Sequence, residues 1–253
     1  MKVLAEERQQ QILALLQTQN VVSLQNICQT TNCSESSARR DLQQLEDAGK
    51  LVRVHGGAKL SQELQREPDM PGKLRLNGPA KMAIAKEAVK NVHPGDTIYL
   101  DAGTTTLAMI ELLDPTANLT VVTNGVLHAS FLADQGIRTL LLGGVLRNTT
   151  KAIVGTTAVR ALKQYQFNRV FLGTNGVHPT AGLTTPSPEE AVLKRAAAEQ
   201  AEQVFVLADA SKFDQTAFVR FGNCDLGTLI TSTLPPAISD RYHQLATVRE
   251  VRE

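Results

Sequence analysis

Apolar positions along the chain change their spacing near residue 79. Before it they recur at helical intervals; after it they gather in short runs set between helical stretches. Ile12, Leu13, Leu15 and Leu16 share one face of a helix over residues 6–17. Ser23 is a good N-cap for a second helix carrying Leu24 and Ile27, and Thr31-Asn32-Cys33 is a short polar turn. Ser34 caps a third helix, in which Ala38, Leu42 and Leu45 face inward. Gly49 suits a left-handed helix end. Leu51-Val52-Arg53-Val54 reads as a strand and Gly56-Gly57 as a turn. Three helices followed by strand-turn-strand make a winged helix-turn-helix, with the helix-turn-helix at about residues 20–39.

The later part alternates differently. Helical patterns cover residues 79–92, 107–113 and 189–202. Between them lie branched apolar runs: Thr97-Ile98-Tyr99-Leu100, Leu119-Thr120-Val121-Val122, Thr139-Leu140-Leu141-Leu142, Val170-Phe171-Leu172 and Val204-Phe205-Val206-Leu207, with Leu229-Ile230 as a last short strand. Continuous apolar strands alternating with helices predict an α/β domain with a mostly parallel sheet covered on both faces. Pro68, Pro71, Gly72 and Gly78 sit among charges without apolar period, so the stretch reads as a connector. The division expected is residues 1–59 for the winged head, 60–78 for the linker and 79–253 for the α/β domain.

Candidate chemistry lies in two places. In the head, the third helix offers Ser34, Ser36, Ser37, Arg39 and Arg40, and the wing offers Arg53, His55 and Gly56. Arginine bridges a guanine edge or clamps a phosphate, and serine hydroxyls suit phosphates or base edges. An Arg-Arg pair alone is usually a solvated surface; the complete order of elements makes double-stranded DNA the expected partner. In the α/β part, the chemistry follows strand ends. Asp101-Ala102-Gly103-Thr104-Thr105-Thr106 leaves one strand and opens a helix, which suits a phosphate. Thr123-Asn124-Gly125, Gly143-Gly144 with Arg147, Gly173-Thr174-Asn175-Gly176 and Asp209-Ala210-Ser211-Lys212 end four more strands. Strand ends of an open parallel sheet converge on one crevice. The candidate effector contacts are therefore Asp101, Gly103, Thr104, Thr105, Thr106, Thr123, Asn124, Gly143, Gly144, Arg147, Asn175 and Lys212. Glu189, Glu190, Lys194 and Arg195 read as solvated helix charges at i,i+4 spacing.

Charge and composition narrow the picture without deciding it. A net charge of +1 shows no broad attraction for nucleic acid, and in the head Arg39, Arg40, Arg53 and their fellow cations face Glu35, Asp41, Glu46 and Asp47. DNA binding must then come from a few placed cations, so one head binds weakly and a homo-oligomer, dimer or tetramer, is expected. No apolar run approaches the roughly 18 residues of a membrane span, and the opening residues turn polar at once. Cys28, Cys33 and Cys224 are too few and scattered for a disulfide framework or a complete metal site, so neither a metal nor a cofactor is expected and the compartment reads as cytoplasmic.

Ser37-Ala38-Arg39-Arg40-Asp41-Leu42 and His55-Gly56-Gly57-Ala58 resemble the head of the DeoR family of bacterial transcription regulators, which shows Thr-(Ile/Val)-Arg-Arg-Asp-Leu and His-Gly-Gly-Ala. Ser37-Ala38 is the departure. Asp101-x-Gly103-Thr104-Thr105, Thr123-Asn124-Gly125, Gly143-Gly144, Gly173-x-Asn175-Gly176, Gly182-Leu183-Thr184 and Asp209-x-Ser211-Lys212 are similar to that family's effector domain. The resemblance implies a fold related to ribose-5-phosphate isomerase, a phosphorylated sugar as signal, and repression of sugar-utilisation genes relieved by it. Within the family, Val21-Val22 and Cys33-Ser34-Glu35-Ser36 resemble fructose-operon repressors, which would make fructose 1-phosphate the effector; a lactose-operon or other hexose-phosphate type is the alternative.

Two other classes bear on the same residues. An isomerase needs a carboxylate base, and the turn that would supply it here holds the amide Asn175, which accepts no proton at neutral pH. Asp101 and Asp209 remain, at strand-to-loop junctions where an aspartate often braces the loop. A thiol switch through Cys28 and Cys33 would need backbone movement to form a disulfide. Binding without catalysis is the expectation.

Overall fold

A computed structural model describes residues 5–19, 21–47, 50–60 and 69–252. The chain divides into two compact units, Met1–Glu63 and Leu64–Glu253.

The first unit holds α1 (Ala5–Gln19), β1 (Val21–Ser23), α2 (Leu24–Thr31), α3 (Glu35–Asp47), β2 (Leu51–Val54) and β3 (Gly57–Leu60). Its core is Ile12, Leu16, Ile27, Ala38, Leu42 and Leu45 with their neighbours, the residues whose helical spacing marked them as inward-facing. Ser23 Oγ accepts from Asn26 N at 3.2 Å, and Asn32 in left-handed conformation ends α2. Val21-Val22 is a strand in its own right: β3 pairs antiparallel with both β1 and β2. The wing turns at His55-Gly56, one residue earlier than the sequence suggested, and Gly56 takes φ +78°, where a side chain would be strained. Gly49 lies outside the described residues.

Asp41 is 2% exposed, and both its oxygens accept from the Arg8 guanidinium, Nη2 to Oδ1 at 3.0 Å. This buried pair fastens α1 to α3. It also orients the motif: with Asp41 and Leu42 turned in, Arg39 and Arg40 are turned out, as 100° per residue requires.

The second unit runs α4 (Met70–Arg75), α5 (Gly78–Val89), β4 (Thr97–Leu100), α6 (Thr104–Ile110), β5 (Thr120–Thr123), α7 (Val126–Asp134), β6 (Arg138–Leu141), β7 (Val145–Leu146), β8 (Ile153–Val154), α8 (Thr156–Leu162), β9 (Phe167–Gly173), β10 (Gly176–His178), β11 (Gly182–Thr185), α9 (Pro188–Glu199), β12 (Ala201–Leu207), β13 (Val219–Gly222), β14 (Thr228–Ser232), α10 (Pro236–His243) and β15 (Val248–Val251). Seven strands form one parallel sheet in the order β15-β14-β12-β9-β4-β5-β6. Side chains alternate across it. Ile98, Leu100, Val121, Phe171, Phe205 and Ile230 pack with α5, α6 and α7; Tyr99, Val122, Val170, Leu172, Val206 and Leu229 pack with α8, α9 and α10. Both faces are covered, which is why the strands read as unbroken apolar runs.

The second unit also holds elements that its sequence pattern does not show. The stretch 60–78 contains α4, whose N-cap Asp69 accepts from Gly72 N at 2.9 Å; Pro71 stands in the first turn, where its missing N–H costs nothing. Leu229-Ile230 is followed by β15 at the sheet edge. A small antiparallel sheet, β10-β11-β13, carries the Gly182-Leu183-Thr184 segment.

Strand order places the site. The chain builds β4, β5 and β6 toward one edge, then returns to lay β9 on the other side of β4 and continues to β12. The loops leaving β4 and β9 therefore diverge, and a crevice opens between them at the carboxyl ends of the strands.

Candidate functional site

The crevice at that switch point encloses about 100 Å³. The loop after β4 contributes Asp101, Ala102, Gly103, Thr104 and Thr105; the loop after β9 contributes Gly173, Thr174 and Asn175; the end of β12 contributes Leu207, Ala208, Asp209 and Lys212. Lys73, Leu76, Asn77 and Lys81 of the α4–α5 region, Thr150 and Ala152 near β8, and Glu190 and Lys194 of α9 complete the wall.

The floor is a buried ion pair. Asp101 Oδ2 accepts from Lys194 Nζ and from Gly173 N at 3.0 Å, while Lys194 Nζ also donates to Gly173 O at 3.0 Å. Asp209 is similarly held: its Oδ1 accepts from Asn77 Nδ2 at 2.9 Å, from Ser211 N at 3.0 Å and from the Ser211 hydroxyl. Glu190 Oε1 accepts from Thr150 Oγ1 at 2.8 Å and lies 3.3 Å from Arg147 Nε. Each carboxylate of the cleft is thus paired or hydrogen-bonded.

The hydroxyl and amide groups of the strand-end turns divide sharply. Thr104 and Thr105 have buried side chains that line the cleft, and neither hydroxyl has a partner among the described residues; the same is true of the Asn175 side-chain amide. Thr106, Thr123 and Asn124 are fully buried and fully used. The Thr106 hydroxyl joins Asp101 O and Gly103 O, Thr123 Oγ1 donates to Leu100 O at 2.7 Å, and Asn124 bridges Tyr99 Oη, Ala102 N and Ile153 O. These three are struts behind the cleft and, unlike the sequence expectation, do not line it. Gly143 and Gly144 end β6, two strands away from the switch point, and do not line the cleft. Arg147 is also outside it, with Nη1 donating to Ser187 Oγ at 3.0 Å and ion pairs to Glu189 and Glu190. Glu190 and Lys194 are buried wall residues and not solvated charges; Glu189 is exposed.

Lys81 was not anticipated. It is 8% exposed, forms no ion pair with a described residue, and donates from Nζ to the Lys73 carbonyl. Burial pulls its pKa down to about 8; attraction by Asp209 opposes this, and Lys212 and Lys73 add to it by repulsion. Four lysines, Lys73, Lys81, Lys194 and Lys212, thus border one cleft, and of these Lys81 is a buried ammonium that forms no ion pair with a described residue.

Behind the struts lies His128, fully buried, with Nε2 3.1 Å from Thr106 Oγ1 and no partner at Nδ1 among the described residues. A Cβ on Gly125 would come within 2.4 Å of that ring, so the Asn-Gly turn is glycine for packing and not for ligand approach. Burial holds the imidazole neutral, with its pKa down at about 4.

In the head, Ser34 Oγ lies 3.0 and 3.1 Å from the Ser36 and Ser37 hydroxyls and accepts from Ser37 N at 3.4 Å, so its first duty is the cap of α3. Ser36, Arg39, Arg40, Arg53 and His55 are exposed. Arg39 makes an exposed i,i+4 pair with Glu35 at 3.5 Å, a contact of little strength. Arg53 donates to Gln43, and its backbone N–H to Glu46 Oε1 at 2.8 Å, which ties the wing to α3. Arg40 has no partner among the described residues. Cys28 and Cys33 are free and half-buried, and burial raises the Cys28 thiol, the opposite of what a reactive thiolate needs.

A DNA-reading head joined to an α/β unit with a polar cleft is the build of a ligand-responsive regulator. Residues 8–63 match the DeoR-like helix-turn-helix domain and residues 76–233 the DeoR C-terminal sensor domain. The chain is 44% identical, over 99% of its length and 100% of the other's, to the uncharacterized HTH-type transcriptional regulator FruR of Bacillus subtilis. It is 34% identical to the HTH-type transcriptional repressor GlcR of the same organism, over 91% of this chain and 89% of that one. Ribose 5-phosphate isomerase A from Neisseria gonorrhoeae aligns with 53% of this chain and 52% of its own at 18% identity and a TM-score of 0.38, too slight a likeness to speak for chemistry. The chain belongs to the DeoR family of helix-turn-helix transcriptional regulators. No described helix is long and apolar enough to cross a membrane.

His128 makes acid sensitivity testable. Its pKa is about 4 in the fold against 6.5 ordinarily. Below pH 6.5 the unfolded chain takes up a proton that the folded chain refuses, so stability falls from about pH 6.5 toward 4, by up to about 3 kcal/mol. In calorimetry, His128→Gln should flatten the decline of melting temperature over that range. Identical slopes in variant and parent would contradict the assignment.

Proposed function

We propose that this protein represses sugar-utilisation genes in the cytoplasm and releases its operator when a phosphorylated sugar, fructose 1-phosphate by preference, fills the cleft. One observation carries the reading: a buried ammonium, Lys81, which forms no ion pair with a described residue, stands in the same crevice as the hydroxyls of Thr104 and Thr105, which have no partner among the described residues. A dianionic phosphoryl group supplies what Lys81 lacks, with Lys73 and Lys212 beside it, since charge-assisted hydrogen bonds are the strong ones. The sugar hydroxyls then fall to Thr104, Thr105 and Asn175. The protein senses and does not isomerise: Asp101, Glu190 and Asp209 are all held by partners, which leaves no free carboxylate base in the cleft among the described residues. Two or more copies act together, because one head carries few unpaired cations.

In α3, Arg40 has no partner among the described residues to give up on meeting DNA. Arg40→Ala should weaken operator binding and lower the salt slope by about 1, whereas Arg39→Ala, already paired with Glu35, should do less. Equal affinities for parent and Arg40→Ala across a salt series would contradict this.

For the cleft, a thermal-shift panel of free and phosphorylated pentoses and hexoses should pick out a phosphorylated one, because a ligand that binds the native state raises its melting point. Thr105→Val should weaken that ligand about tenfold, the scale of one lost hydrogen bond, while Thr123→Val should leave its affinity unchanged. The reverse pattern would contradict this assignment of the two threonines.

The same affinity should depend on pH at both ends. It rises as the phosphate loses its second proton near pH ~6. It falls as pH passes about 8, where Lys81 loses its charge. Calorimetric titration from pH 5.5 to 9.5 reads this directly, and an affinity that holds level through pH 9 would show that Lys81 is not the anion's partner.

A further inference from the structure

We propose that α4 is a strap that the bound anion tightens, and that this tightening is the signal passed toward the head; the proposal rests on the cleft being an anion pocket. α4 is the described element that follows the wing along the chain, and the stretch from α4 to the start of α5 is fastened at three points. Met70 N donates to Thr149 O at 2.9 Å, with the Met70 side chain buried; the Lys73 carbonyl accepts from Lys81 Nζ; the Asn77 amide donates to Asp209 Oδ1 at 2.9 Å and Ser211 Oγ at 3.4 Å. Lys81 and Asp209 are themselves cleft residues, and Thr149 precedes another, Thr150.

Asn77 shows how the strap is built. It sits at the N-cap of α5 with φ +54°, yet its side chain makes no cap bond; the amide is spent on the cleft wall instead. A position that would ordinarily stabilise its own helix is used to hold α4 to the site.

The charges around the cleft bear on this hold. Lys73 on α4, Lys81 on α5 and Lys212 beyond β12 are like charges around one space, with Asp209 as the acid that offsets them. An anion that meets Lys81 and Lys212 turns their repulsion into shared attraction and fixes Lys81, which holds α4 through the Lys73 carbonyl. Lys81 has three donors, so it can keep the Lys73 carbonyl while it meets the anion. A ligand switches a protein only as far as it binds one arrangement more tightly; the strapped arrangement is the one that gains these contacts.

Hydrogen exchange on the full-length protein tests it, with fructose 1-phosphate as probe and inorganic phosphate and fructose as separate arms. Amides of residues 70–77 should exchange more slowly with fructose 1-phosphate, to a lesser degree with phosphate, and not with fructose. Met70→Ala loosens the strap at a residue outside the cleft. It should still bind fructose 1-phosphate, while the roughly 5- to 150-fold ligand-driven loss of operator affinity typical of such coupling collapses toward none; Met70→Leu should restore it. Protection at Thr104 and Thr105 with unchanged exchange at 70–77, or full operator release by ligand-bound Met70→Ala, would overturn the strap alone. No protection anywhere in the cleft would overturn the pocket reading and the strap with it.

Discussion

The buried pair of Asp101 and Lys194 is the joint on which the sensor unit depends. Asp101 leaves β4, Gly173 leaves β9, and Lys194 reaches in from α9, so one ammonium and one carboxylate bind together the two strands that flank the switch point. Without that pair the diverging loops would carry an uncompensated charge at the mouth of the sheet, and the loss of one partner from such a pair is strongly destabilising. With it, the floor of the cleft is electrically quiet. Lys81 in the wall is then left as a group that calls for an anion.

The head follows a related logic. Arg8 and Asp41 lock α1 to α3 inside, and the arginine next to Asp41 is left outside with no partner among the described residues. In both units the charges that could have neutralised a recognition cation are tied up elsewhere. An unpartnered cation is costly to keep in a folded chain when buried and merely idle when exposed. Lys81 is the first kind and Arg40 the second, and the two are the groups for which a bound partner changes most.

Much of this was written in the sequence, and the failures have a physical pattern. The strand ends were legible because glycines and hydroxyls follow branched apolar runs. Which ends meet was not, since strand order is a long-range property: β5 and β6 lie on the far side of β4, so Asn124 and Gly143-Gly144 were assigned to a cleft they do not line. Thr104 and Thr105 cannot be told from Thr106 by residue type, because only the fold shows that Thr106 spends its hydroxyl on Asp101 and Gly103. Glu190 and Lys194 kept the i,i+4 spacing of a solvated face while facing a wall of the cleft. Lys81 sat unnoticed in an alanine-rich helix. α4 was hidden by Pro71-Gly72, a pair that usually breaks a helix and here lies in its first turn.

The central claim is that one small anion in the sensor governs the grip of the head on DNA. The most direct measurement is the fluorescence anisotropy of a labelled operator duplex bound by the full-length protein, with phosphorylated sugars and their unphosphorylated parents titrated in turn. The account requires that a phosphorylated sugar which raises the melting temperature also releases the duplex, at concentrations where its free sugar does nothing. A phosphorylated sugar that binds firmly and leaves operator affinity untouched would contradict it.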